Sequence, residues 1–113
     1  MQLTDEQWEE VKKFTIAEVH SALGVVALDR KNFDEAVKEF GTAYTLDPQA
    51  SYGARLASAQ QSAGKNDDAI ATCDKILADP QLHPQIRQLT QVVRANAVKA
   101  KAAGAAPPAE KKQ

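Results

Sequence analysis

The sequence predicts an all-α fold, a solenoid of stacked helical hairpins, on three observations. Small and large apolar residues recur in a fixed spacing. Leu23, Gly24, Ala36, Phe40 and Ala43 are answered 33 residues later by Leu56, Ala57, Ala69, Cys73 and Ile76, and Leu89 continues the series. A period of this size marks units that cannot bury an apolar face alone and stack to do so. Within each unit the apolar residues fall at three- and four-residue steps, and no segment shows the period of two that a half-buried strand requires. The punctuation recurs as well: Lys31-Asn32 and Ala63-Gly64 turn the chain inside a unit, and Asp47-Pro48 and Asp79-Pro80 close one. A proline pushes the residue before it out of the helical region.

The elements follow in order. Thr4 with Gln7 is a capping-box start, and Asp5 and Glu6 suit the positive end of a helix. The first helix is expected from about Asp5 to Arg30, a length that leaves room for a break near Phe14 to Ala17. The second opens at Asp34 and carries Ala36, Val37, Phe40, Ala43 and Tyr44. The third spans about Ser51 to Ala63, with Gly64 at its C-terminal cap. The fourth covers about Asp67 to Ala78, with Ala69, Ile70, Cys73, Ile76 and Leu77 inward. The fifth begins at Pro84, a favoured first position, and runs to about Ala103. Its buried stripe is Ile86, Leu89 and Val93, continued by Ala97 and Ala100; Gln85, Gln88, Gln91, Arg94 and Lys101 form a polar outer face suited to capping an array. The Ala-, Pro- and Lys-rich stretch 105–113 is expected to be disordered.

The same residues carry a family resemblance. His20-x2-Leu23-Gly24-x2-Ala27, then Ala36-x3-Phe40, then Pro48 resembles the tetratricopeptide repeat pattern W-x2-L-G-x2-Y, A-x3-F, Pro. His20 and Ala27 stand in the Trp and Tyr slots. The second unit reads Gly53-x2-Leu56-Ala57-x2-Gln60, then Ala69-x3-Cys73, with Pro80 near its end. A third shows only Ile86-x2-Leu89-x3-Val93. The resemblance implies a right-handed α-solenoid: an N-terminal helical extension over 1–16, repeats over 17–49 and 50–82, and a capping helix over 83–104. It implies a non-catalytic adaptor or scaffold that binds a protein or peptide in a concave groove lined by the first helix of each hairpin. The groove positions would be Ser21, Val25, Leu28, Arg55, Ser58, Gln61, Arg87, Gln91 and Arg94, with Ser62 and Gln88 beside them. Family members that serve heat-shock chaperones hold a peptide carboxylate with a Lys and Asn clamp. Ser21, Val25 and Arg55 stand at the matching places, which disfavours chaperone tails as clients. An apolar end and a polar-basic end remain, suited to an amphipathic or acidic peptide; Arg55, Arg87 and Arg94 are read equally well as a solvated face.

Gly24, Ala36, Ala57 and Ala69 are expected where two helices of a hairpin cross at ~8–10 Å. Leu23 and Phe40 are expected to fill the volume beside them, so that truncating Leu23 to Ala would cost about 2–5 kcal/mol. On a helical wheel Trp8, Val11, Val19, Ala22, Leu23 and Val26 gather on the face expected to meet the core, and Phe14, Val25 and Leu28 gather on a second stripe. Trp8, Val11 and Phe14 precede the repeats and form a candidate patch for self-association or docking.

Other chemistries find little footing. The chain of 113 residues makes one domain with formal net charge -1, which does not advertise nucleic-acid binding. His20 and His83 lack a second ligand at metal spacing. Cys73, the single cysteine, fills an apolar slot with nothing beside it to activate a thiolate. Phosphate loops, nucleophile elbows and calcium loops are absent. No enzyme activity, metal or cofactor is expected. No run approaches the ~18 apolar residues of a membrane span, and no leader precedes the first helix, which favours the cytoplasm slightly and leaves the compartment open; an abrupt start also fits a piece of a longer parent. Met1 to Glu18 holds five acids and two lysines, and Pro80 to Ala109 holds four basic residues and no acid. Ends of opposite sign make a homo-oligomer, or docking to a neighbouring domain, the alternative to groove binding.

Overall fold

Five helices follow one another through the computed structural model, which describes residues 2–104. They are α1 (Asp5–Asp29), α2 (Phe33–Leu46), α3 (Ala50–Ser62), α4 (Asn66–Leu77) and α5 (Pro84–Ala102), with no strand among the described residues. The stretch 105–113, expected to be disordered, lies outside them. The expected bounds are met to within a residue or two. The break expected near Phe14 is absent: α1 is one unbroken helix of 25 residues.

Local chemistry accounts for the ends. The Thr4 hydroxyl accepts from the Gln7 amide at 3.1 Å, and the Thr4 amide donates to Gln7 Oε1 at 2.8 Å, so the capping box is complete. At the other end of α1, the Asn32 amide reaches back to the Ala27 carbonyl and the Lys31 amide to Leu28, with Lys31 in the left-handed region at φ 59°. The same wrap recurs after α3, from Lys65 to Gln60 and from Gly64 to Gln61. There the left-handed residue is Gly64 at φ 78°, one place beyond the cap residue Ala63. Pro84 opens α5, and His83 Nδ1 accepts from the Gln85 amide at 3.2 Å.

Each helix packs on its chain neighbour, and α3 also packs on α5. The core is accordingly a series of small clusters and not one central mass. Ala27, Ala36, Phe40, Leu56 and Ala59 bind the first unit to the second. Ala17, Ala43 and Tyr52 extend that contact. Ala57, Cys73 and Val93 seat α5, with Leu77 against them.

The expected face of α1 is corrected. Its buried residues are Ala17, Ser21, Gly24 and Ala27. Val19, Leu23 and Val26 point to solvent, with Leu23 45% exposed. The cause is the closeness of the α1–α2 crossing. A Cβ placed on Gly24 would stand 2.6 Å from Phe40 Cε1, so only the stripe of smallest residues can face α2. Leu56, the repeat-mate of Leu23, is buried against the first unit because a preceding unit exists to bury it. Leu89, expected on the buried stripe of α5, is likewise 50% exposed. It lies on the last described helix, on a side that no other described helix covers; Thr90, Val93 and Ala97 are buried instead. Ile70 and Leu77, expected inward, are only partly buried.

Candidate functional site

Two hydrogen bonds join the first helices of the two units. The Tyr52 hydroxyl donates to Glu18 Oε1 at 2.5 Å, and Arg55 Nη1 donates to Ser21 Oγ at 2.6 Å. With α3 also packed on α5, the helices α1, α3 and α5 form one row, and α2 and α4 stand behind it. The row arises because each hairpin starts with a helix whose small residues (Gly24, Ala57) face its own second helix. That leaves the flank beyond them to meet the next unit.

The predicted groove residues differ in availability. Val25 and Gln91 are exposed, as is Arg55; Leu28, Ser58, Gln61, Arg87 and Arg94 are partly buried. Ser21 is buried and spends its hydroxyl on Arg55, so it positions that guanidinium and does not face a ligand. Arg87 closes the C-terminal end of α4: its guanidinium donates to the Asp79 carbonyl at 2.6 Å and the Leu77 carbonyl at 3.5 Å. Arg94 Nε meets Asp74 Oδ1 at 2.6 Å, and that carboxylate holds the guanidinium more firmly protonated than usual. The basic character expected along the row is therefore concentrated at Arg55.

Sequence reasoning missed Glu18 and Tyr52. The Glu18 carboxylate, followed by burial, pushes the Tyr52 phenol up to about 12. Their partnership has no sequence signal beyond a separation close to one repeat.

Val11 and Phe14 line a shallow depression with Leu46, Asp47 and Pro48, at the turn between α2 and α3. Trp8, 51% exposed, is not part of it. By helical geometry it lies beyond Val11, on the side of α1 opposite Ala17.

Other reactive groups are occupied or inert. His20 Nδ1 stands 2.7 Å from Glu39 Oε1 across the α1–α2 contact. Burial pushes the Cys73 thiol above its ordinary range; the Asp74 carboxylate adds to this and Arg94 opposes it. Among the described residues no three His, Cys, Asp or Glu side chains are gathered as a metal would need. No helix among them is long and apolar enough to cross a membrane.

A family model described as the tetratricopeptide repeat matches residues 27–92, more than half of the chain. No curated protein and no solved structure matches it.

Proposed function

The chain belongs to the tetratricopeptide repeat family, whose repeats mediate protein–protein interaction, and from that premise we propose a non-catalytic adaptor that takes a peptide or helix along the row of α1, α3 and α5. The row is read as the concave face of a right-handed solenoid made of repeats over 17–49 and 50–82 and a capping helix over 83–104. The observation that carries the reading is the alignment of these first helices side by side, with Val25, Arg55 and Gln91 exposed along them. Val25 and Leu28 offer an apolar end. Arg55, held in place through Ser21, offers a cation at the centre. Ser58, Gln61 and Gln91 offer hydrogen bonds. An amphipathic segment with a carboxylate near its middle fits this order, in the helix-in-groove mode or as an extended chain.

Fluorescence anisotropy against a panel of amphipathic acidic peptides tests it. Binding is expected to weaken as salt screens Arg55 and to fall with Arg55→Glu and with Val25→Asp. Arg94→Glu is the wrong probe, because it also breaks the pair with Asp74. Peptide binding untouched by both Arg55→Glu and Val25→Asp would place the site elsewhere.

A further inference from the structure

The side of α1 turned away from α2 is apolar from Ile16 to Val26, with Trp8 near its start and Lys12 and Thr15 between. Trp8, Ile16, Val19, Leu23 and Val26 are each about half exposed. Trp8, Lys12, Thr15, Val19, Ala22 and Val26 follow one another at alternating steps of four and three, the seam spacing of two helices wound together. Ile16 and Leu23 flank that seam. Among the described residues nothing covers it, since α1 packs on α2 from the other side. Residues 5–16 are exposed without exception.

We propose that this face is a dimer interface between two copies of the chain, with the two α1 helices packed antiparallel about a twofold axis that crosses the seam between Thr15 and Val19. The inference does not rest on the groove reading: its residues lie about a quarter turn around α1 from Val25. Reversing one seam against the other sets Trp8 against Val26 of the second copy, Lys12 against its Ala22, and Thr15 against its Val19. Charge selects the orientation. The helix begins with Asp5, Glu6 and Glu9 and is followed by Arg30 and Lys31, all exposed. Antiparallel packing brings each acidic start to the basic end of the other copy, with Asp5 beside Arg30. Parallel packing would set like against like. Asp29, three residues after Val26, stands at the end of the seam near Asp5 of the second copy, where Arg30 and Lys31 outnumber it. Lys12 is the one charged seam residue; it can extend its ammonium to the rim, and a single polar seam position fixes register. Packing onto the other end of a second copy fits less well, because Leu89 and Val92 lie on one side of α5 and Val98 on the other. It would also leave an open, non-closing contact.

Sedimentation of the full chain over a concentration series, with Trp8 emission recorded in parallel, tests the proposal. The mass is expected to rise to twice that of one chain and stop there, with the emission shifting to the blue in step. Val19→Glu and Val26→Glu, both at exposed positions, are expected to keep the chain monomeric with an unchanged helical spectrum. Arg30→Glu is expected to weaken dimerisation about tenfold, as repulsion replaces a rim pair in both symmetry-related places. Asp5→Lys combined with Arg30→Glu is expected to restore it. A wild type that stays monomeric to its highest soluble concentration overturns the proposal. So does growth beyond a dimer, which would mean an open assembly, and a charge swap without rescue, which would mean a different register.

Discussion

At the scale of single residues, two glycines in helices show how position decides the sign of one substitution. Alanine is the better helix former by about 0.5–1 kcal/mol. At Gly41 its methyl would lie 3.9 Å from Leu56 Cδ1, ordinary contact, so Gly41→Ala is expected to stabilise the fold by about that amount. At Gly24 the methyl would meet the Phe40 ring at 2.6 to 2.8 Å, and that ring is fully buried with no room to yield. Gly24→Ala is expected to destabilise by about 1–3 kcal/mol, and Phe40→Leu in the same chain to recover part of the loss. Urea titrations of the three variants check this. Tyr52 supplies a pH signature. Its proton is held more tightly in the folded chain than in the unfolded one, so its stabilising effect is complete below the ordinary tyrosine range near 10 and is lost as pH rises toward about 12. Tyr52→Phe is expected to cost about 1 kcal/mol at neutral pH, with the gap to wild type closing across that alkaline window.

At the scale of elements, α1 separates two properties that sequence periodicity joins. Four of its large apolar side chains, Trp8, Val19, Leu23 and Val26, lie on the face away from its buried side chains. In solution dilute enough to prevent self-association, Leu23→Ala is expected to change stability by less than about 0.5 kcal/mol, as a half-exposed surface position does. Phe40→Ala, at the fully buried contact with Gly24, is expected to cost about 3–5 kcal/mol. Denaturant melts at low concentration distinguish them, and equal losses would return Leu23 to the core. The helices themselves were legible because caps and breakers act locally: Thr4 with Gln7, Gly64, Pro48 and Pro84 each do their work within a few residues. The burial of Leu23 was not legible. It depends on whether a helix stands in front of it, and periodicity reports a face without reporting which neighbour is there.

At the scale of the whole molecule, stability runs along a line of neighbours, so the ends open first. Cys73 is a reporter for this, since it is fully buried and seated under Val93 of the last helix. Its native labelling by a thiol reagent is expected to be slow. Val93→Ala removes two buried carbons, about 1.5 kcal/mol, and is expected to raise the labelling rate about tenfold, with no comparable change for Leu23→Ala. Equal acceleration by both would mean that the molecule opens as one unit and not from the α5 end. The candidate site shows the same division between local and long-range causes. Val25, Arg55 and Gln91 were placed on the row of first helices by the repeat register, which the sequence carries. The engagement of Arg94 by Asp74, of Arg87 by the end of α4 and of Ser21 by Arg55 could not be placed, because each joins groups whose distance apart is set by how one helix lies on the next.

The repeat period, the five helices, their caps and the small residues at the crossings were determined by the sequence alone, since each rests on spacing or on chemistry within one or two turns. Only the tertiary structure decided which face of α1 is inside, which of Arg55, Arg87 and Arg94 is the most exposed, and that Glu18 and Tyr52 meet. The physical reason is the closeness of the helix crossings. Where Gly24 leaves no room for even a methyl group beside Phe40, the inside of the helix goes to its smallest residues, and the large ones are left for whatever packs on the other side.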